Sequence, residues 1–167
     1  HPLMQVHVFA PVTTQNLGRL DSRLLDETSR FLKIALEQQT KDDFADEPTA
    51  FFNDHILFSY LWVLGPYELV RSIDQSCREN VDKYTSDFSS AIKISKALFE
   101  RVRIPLAKFE PAHRHRETDG AIAWPVVNRN VGTGWQVSET TYISRLELSD
   151  SLMNALRILK DKGSNAV

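Results

Sequence analysis

A mainly α-helical fold is predicted: a helical bundle of about four helices, with a small β-hairpin or three-stranded β-element between the third and last helices. Two observations predict it. Apolar residues recur at intervals of three and four through residues 17–111, which is the spacing of one helix face. From residue 121 the chain becomes rich in β-branched and aromatic residues separated by glycines, which is typical of short strands and turns. The 167 residues contain no internal repeat or low-complexity linker, so one domain over residues 1–167 is expected.

Residues 1–16 precede the first clear helical pattern. They alternate only weakly and include Pro11, which predicts a short edge strand or an extended arm. Leu17, Leu24 and Phe31 then mark one apolar stripe at helical spacing, so the first of three long helices is expected to begin near residue 17.

The second helix has two halves of different character, which meet at Gly65 and Pro66. Between residues 50 and 64, eleven of fifteen residues are apolar. A helix that is apolar on every side is normally buried on every side. Because proline removes a backbone hydrogen bond and clashes with the preceding turn, a kink or short break is predicted at Pro66.

Two arrangements would bury this apolar half. The favoured one is a homodimer, because three other helices of one chain do not suffice to surround it. The residues expected at the dimer seam are Phe51, Phe52, Phe58, Tyr60 and Trp62. In the alternative, the β-element covers the open side, with Trp124 and Trp135 as its lid. A small apolar ligand between this helix and the hairpin is a third interpretation.

The third helix has the most regular pattern in the chain. Its inward-facing residues step alternately by four and three, and they are Phe88, Ile92, Ser95, Phe99, Val102, Leu106 and Phe109. This alternation is typical of a helix packed along another helix. Thr85 or Ser86 is expected to cap its start, and Pro105 to kink or restart it.

The β-element is expected over residues 121–145, and the last helix over residues 149–162. Pro125 places the first strand at an edge or at a bulge, because proline cannot donate a ladder hydrogen bond. Ser149 is the expected N-cap of the last helix.

Motifs for catalysis or cofactor binding are absent: the sequence has neither a nucleophile elbow nor a glycine-rich phosphate loop. Glu110, His113 and His115 have part of the spacing of a metal site, but a solvated loop is favoured. His55 and Ser59 share a helix face, as a base and a nucleophile would. A histidine satisfied in the core and a serine hydrogen-bonded to its own helix are favoured instead. No catalytic residue, cofactor or metal ligand is therefore assigned.

Charge is unevenly distributed, although the net charge is only −2. Residues 101–116 are basic, whereas residues 37–54 carry six acids against Lys41. The candidate anion or nucleic-acid patch consists of Arg101, Arg103, Lys108, His113, Arg114, His115 and Arg116. Such a patch would suit RNA or an acidic protein partner, whereas a solvated, charged helix end is the simpler interpretation.

The expected size, helical architecture and dimeric state resemble those of the HEPN domains of bacterial defence and toxin systems, some of which are ribonucleases. Their catalytic mark is an arginine followed, after four to six residues, by a histidine near the dimer cleft. This sequence lacks that spacing, because Arg103 and His113 are too far apart and Arg78 leads to no histidine. Two hypotheses follow: a non-enzymatic, self-associating interaction or regulatory module, and a nucleic-acid-binding or RNA-cleaving HEPN-like domain that uses residues 101–116.

Cellular setting is indicated by two features. Cys77 is the single cysteine, so an internal disulfide is excluded and a reducing, cytoplasmic setting is expected. The longest apolar run, residues 56–64, is nine residues long, far below the about 20 that cross a bilayer. A membrane is not among the expected partners.

Overall fold

The computed structural model describes residues 2–38 and 47–163. The helices of this part are α1 (Ala10–Gln38), α2 (Glu47–Glu79), α3 (Ser86–Lys108) and α4 (Arg145–Gly163). The strands are β1 (Trp124–Asn128), β2 (Gly132–Ser138) and β3 (Thr141–Ser144). Short 3-10 turns occupy Pro2–Gln5, Val81–Lys83 and His113–His115. The predicted mainly α-helical fold, with a small antiparallel β-element between the third and last helices, is confirmed.

The start of α1 differs from the prediction. The helix begins at Ala10 rather than near residue 17, and a 3-10 turn precedes it, so the predicted strand or extended arm is wrong. Pro11 falls in the first helical turn, where its missing N–H is not needed. Leu3 and Ala10 are buried in the core, and the Ala10 N–H donates to the carbonyl of His7 at 3.0 Å. These contacts hold the segment against the bundle.

α2 continues through Pro66, and α3 through Pro105. Of the two predicted outcomes at Pro66, the break is therefore wrong, because packing on both sides of the proline outweighs the lost hydrogen bond, and the kink stays a prediction. Gly65 brings α1 close to this turn: a Cβ placed on it would lie 2.7 Å from Cδ2 of Leu17. α2 thus packs along α1 with its first half and along α3 with its second.

The core confirms most of the pattern predicted for α3. Phe88, Ile92, Phe99 and Val102 are among its buried residues, and Thr85 caps the helix by accepting from the N–H of Phe88. Phe109 is an exception. It forms the left-handed C-cap with φ 56° and is exposed, because the helix ends before this residue can turn inward.

The sheet has the order β1-β2-β3, and its two faces differ. Thr133, Trp135 and Ile143 face the helices and are buried. Trp124 lies on the other face and is exposed, so of the two predicted lid residues only Trp135 covers the core. β1 is an edge strand, as Pro125 predicted.

α4 follows β3 directly. It begins at Arg145, and the Ser144 hydroxyl accepts from the N–H of Glu147 at 3.0 Å. The predicted cap, Ser149, is wrong, because that residue lies one turn inside the helix. Among the described helices, none combines the length and the apolarity needed to span a bilayer.

Candidate functional site

The outward side of α2 carries exposed apolar side chains. Leu57 is 50% exposed, Phe58 39% and Leu61 47%. Leu57 and Leu61 are one turn apart, and Phe58 adjoins them on the side of α1. There the guanidinium of Arg23 lies 5.9 Å from the Phe58 ring centroid. We call Leu57, Phe58 and Leu61 the α2 outer face.

The opposite side of the same helix enters the core. Trp62 is only 2% exposed: its indole N–H donates to the carbonyl of Leu17 at 3.2 Å, and its ring packs at 5.9 Å from that of Phe99. Trp62 is therefore a core residue of its own chain, and its assignment to the dimer seam is corrected.

The remaining seam residues are divided between the core side and the surface. Phe52 is half-buried and packs against Phe31, with 5.0 Å between ring centroids. Tyr60 is half-buried as well, whereas Phe58 is exposed. Phe51 belongs to α2, but its side chain lies outside the described residues. The exposed apolar side chains on this half of α2 are thus Leu57, Phe58 and Leu61, and of these only Phe58 is among the predicted seam residues.

A buried polar cluster lies beneath the α2 outer face. His55 Nε2 is 2.7 Å from the Thr133 hydroxyl and 3.1 Å from that of Thr28, while Nδ1 is 3.3 Å from a Glu27 carboxylate oxygen. These distances are satisfied together when Nδ1–H donates to Glu27 and Nε2 accepts from Thr133. The prediction of a hydrogen-bonded core histidine is confirmed.

Burial governs the titration of this cluster. It lowers the pKa of His55, and the positive charge of Arg145 lowers it further, although the hydrogen bond to Glu27 opposes both. Burial works to raise the pKa of Glu27, but hydrogen bonds from Arg23 and His55 outweigh it, so the pKa lies below its usual value. Glu27 thus stays charged, and a neutral His55 is favoured.

A second polar group adjoins the first. Arg145 is buried; it donates to the Asp21 carboxylate and, at 3.1 Å, to the Asp21 carbonyl. Its guanidinium carbon lies 5.6 Å from the Trp62 ring centroid. The Ser149 hydroxyl donates to the other carboxylate oxygen at 2.6 Å. Together these contacts join α1, α2 and α4.

Thr133, His55 and Glu27 are arranged like a nucleophile, a base and an orienting acid. However, the cluster is closed to substrates. His55 and Thr133 are both buried, and covalent catalysis requires a nucleophile that a substrate can reach. Ser59 does not complete the site, since its buried hydroxyl has no hydrogen-bond partner among the residues that the structure describes. The predicted hydrogen bond from Ser59 to its own helix is therefore wrong. The arrangement explains cohesion of the core rather than chemistry.

The basic segment 101–116 does not form one continuous patch. Arg101 forms a two-pronged ion pair with Asp119 at 2.7 and 2.8 Å, and Arg103 lies over the ring of Tyr67 at 5.0 Å. Lys108 approaches Glu110 at 3.8 Å. Exposed residues of the predicted patch are Lys108, His113, Arg114 and Arg116, while His115 is half-buried. Within residues 2–38 and 47–163, no three His, Cys, Asp or Glu side chains converge as metal ligands.

Comparisons with known proteins gave no match: no family profile, curated protein or solved structure is significantly similar to this chain.

Proposed function

We propose that this chain is a non-enzymatic interaction module that self-associates through the α2 outer face. The observation that carries the proposal is the presence of three large apolar side chains, 39–50% exposed, side by side on one helix. Contiguous apolar surface of this kind marks sites where another molecule binds. The proposed setting is the cytoplasm, where the buried thiol of Cys77 stays reduced.

A second copy of the chain is the occupant that fits the rim of this surface. Arg23, whose side chain is 69% exposed, borders it on α1, and the exposed Asp54 lies one turn before Phe58 on α2. A two-fold axis brings the same patch of two copies together. Because the rim carries both signs of charge, a two-fold pairing that sets Arg23 of one copy against Asp54 of the other would be electrostatically complementary.

The expected affinity is modest. Complete burial of a leucine or phenylalanine side chain stabilises by about 1.5–3 kcal/mol, so three half-exposed side chains on each copy supply about 6 kcal/mol. Association costs at least about 4 kcal/mol in lost translational and rotational freedom. The surplus of about 2 kcal/mol corresponds to a dissociation constant of tens of millimolar. A dimer that forms in the micromolar range therefore requires the contacts at the rim to contribute about 6 kcal/mol more.

Sedimentation velocity from 1 to 100 µM protein is the test (concentrations chosen to bracket the expected range). The wild-type chain should shift from a 19.1 kDa particle toward twice that mass. Leu57→Glu with Leu61→Glu should abolish the shift, because like charges would meet across the axis. Ile94→Glu is the matched control, since Ile94 is 68% exposed on α3. A wild-type monomer at every concentration, or a dimer that the double variant leaves intact, would refute the proposal.

The alternative function, RNA binding or cleavage through residues 101–116, has weaker support. Arg101 and Arg103 are engaged within the chain, which leaves fewer cations for phosphate. Fluorescence polarisation with a short RNA should show salt-sensitive binding if the alternative holds, and Arg114→Glu with Arg116→Glu should abolish it. Absence of binding at low salt would remove this alternative.

A further inference from the structure

An open cavity of about 970 Å³ lies at one end of the sheet, away from the α2 outer face. It is enclosed by the middle of α3, the segment before β1, the end of β2 and the turn into β3. The side chains that line it include Arg101, Glu117, Asp119, Trp124, Glu139 and Thr141. A cavity of this size accommodates a ligand of several residues or rings.

Trp124 forms an aromatic wall of the cavity. It is 62% exposed and stands opposite Gln136 on the solvent face of the sheet, beside the exposed side chain of Ile122. The other two tryptophans, Trp62 and Trp135, are buried. An exposed indole offers a flat, electron-rich face, which attracts cations as well as apolar groups.

The floor of the cavity is fixed and internally neutralised. Arg101 holds the Asp119 carboxylate with two hydrogen bonds and donates to the Thr141 hydroxyl at 3.3 Å. Thr118 donates to the same carboxylate at 3.0 Å. Because its Nε and Nη2 donors are committed to Asp119 and Thr141, Arg101 cannot also hold a phosphate or carboxylate ligand through that two-pronged edge.

The charge left over is negative. Within the described part of the chain, the lining contains one arginine, Arg101, and three carboxylates, Asp119, Glu117 and Glu139, and the formal charges of these four groups sum to −2. Glu117 and Glu139 are exposed, and neither takes part in a salt bridge within the described part of the chain. These two carboxylates border the same space as the exposed indole, and together the groups are complementary to a cation.

We propose that this cavity binds a guanidinium or ammonium side chain of a partner polypeptide, stacked on Trp124 and paired with Glu117 and Glu139. The proposed recognition runs through side chains rather than through strand addition, since Pro125 on the edge strand β1 supplies no backbone N–H. The site is distinct from the α2 outer face and does not depend on self-association.

The probe is a short blocked peptide of alternating glycine and arginine, titrated calorimetrically at low salt. Binding should weaken at least five-fold in Trp124→Leu and in Glu117→Gln with Glu139→Gln, and it should weaken as salt is added. Trp124→Leu and both glutamine changes alter exposed side chains, so circular dichroism should show an intact fold. Glu110→Gln is the control: Glu110 is an exposed acid outside the cavity lining and its loss should leave affinity unchanged.

Four outcomes would overturn the proposal. In the first, a matched glycine–glutamate peptide or a short RNA binds as tightly as the glycine–arginine peptide. In the second, a neutral oligosaccharide binds as tightly as that peptide. In the third, none of the cavity variants weakens binding of the glycine–arginine peptide. Failure of the peptide to bind at millimolar concentration would overturn it as well. The Leu57→Glu, Leu61→Glu protein should bind the peptide like the wild type, so failure of this site and failure of self-association are distinguished.

Discussion

Replacing Asp21 by alanine should destabilise the fold by about 3–5 kcal/mol, the usual cost of removing one partner from a buried ion pair. The guanidinium of Arg145 is 1% exposed, and the Asp21 carboxylate is its ionic partner. Without it, Arg145 keeps the Asp21 carbonyl at 3.1 Å and the face of Trp62 at 5.6 Å. Within the described residues its Nε already lacks an acceptor, so no spare acceptor is available for the donors that Asp21 would leave. Ser149 would also lose its acceptor.

Urea denaturation followed by circular dichroism measures this cost. With a slope of about 2 kcal/mol per molar urea, typical of small domains, the midpoint should fall by about 2 M. All variants should be compared at one protein concentration, because self-association would stabilise the folded state.

A double variant separates the loss of the partner from the loss of packing. Asp21→Leu with Arg145→Met replaces the ion pair by apolar groups, and such replacements are often neutral or stabilising. The double variant should therefore be more stable than Asp21→Ala. If Asp21→Ala costs less than about 1 kcal/mol, the range of an exposed pair, or if the double variant shows the sum of the single losses, the reasoning about Arg145 is wrong.

Two further predictions concern the sheet and the buried histidine. Gly134→Ala should destabilise the fold by about 1–3 kcal/mol, because the new Cβ would lie 2.5 Å from the carbonyl oxygen of Ile143 and 2.6 Å from the Tyr142 ring. Its control is Gly18→Ala on α1, where no described atom outside the local helix lies within 4 Å of the new Cβ, and this change should stabilise the fold by about 0.5–1 kcal/mol. Equal shifts of the melting temperature in the two variants would contradict both expectations. The pKa of His55 lies below its ordinary 6.5 in the folded state, so the unfolded chain binds more protons once the pH falls below about 6.5. The contribution of His55 to the free energy of unfolding is therefore fully present above about pH 6.5 and falls as the pH decreases. The loss is at most about 1.4 kcal/mol per unit of pKa difference. His55→Gln should flatten the decrease between pH 7.5 and 5.5 in urea titrations; an unchanged slope would assign it to other groups.

Elements marked by local signals were predictable. The inward-facing pattern of α3 depends on residues that are three and four positions apart. The cap at Thr85 depends on a backbone donor three residues later. Both features are therefore encoded within one or two turns of the helix. Pro125 identified an edge strand, because its missing N–H excludes a central position in a sheet. The β-element followed from the change of residue types after residue 121.

The polar cluster was not predictable, because its partners are distant in the sequence. His55 meets Thr133, and Arg145 meets Asp21, across 78 and 124 residues. Nothing near Thr133 distinguishes it from an ordinary strand threonine. The start of α1 was missed for another reason: Pro11 suits a strand edge and a first helical turn equally, and tertiary packing of Leu3 and Ala10 decides between them.

The first half of α2 reverses the usual distribution of a surface helix. Its buried side contains the polar His55 and Ser59, while its exposed side presents Leu57 and Leu61. Burying polar groups costs free energy unless they are hydrogen-bonded, and exposing leucine forgoes the stabilisation of burial. Hydrogen bonds with Glu27, Thr28 and Thr133 compensate the first cost for His55. Nothing within the described chain compensates the second, and a partner on the α2 outer face would. The same helix thus accounts both for the cohesion of one chain and for the surface at which a second copy is expected.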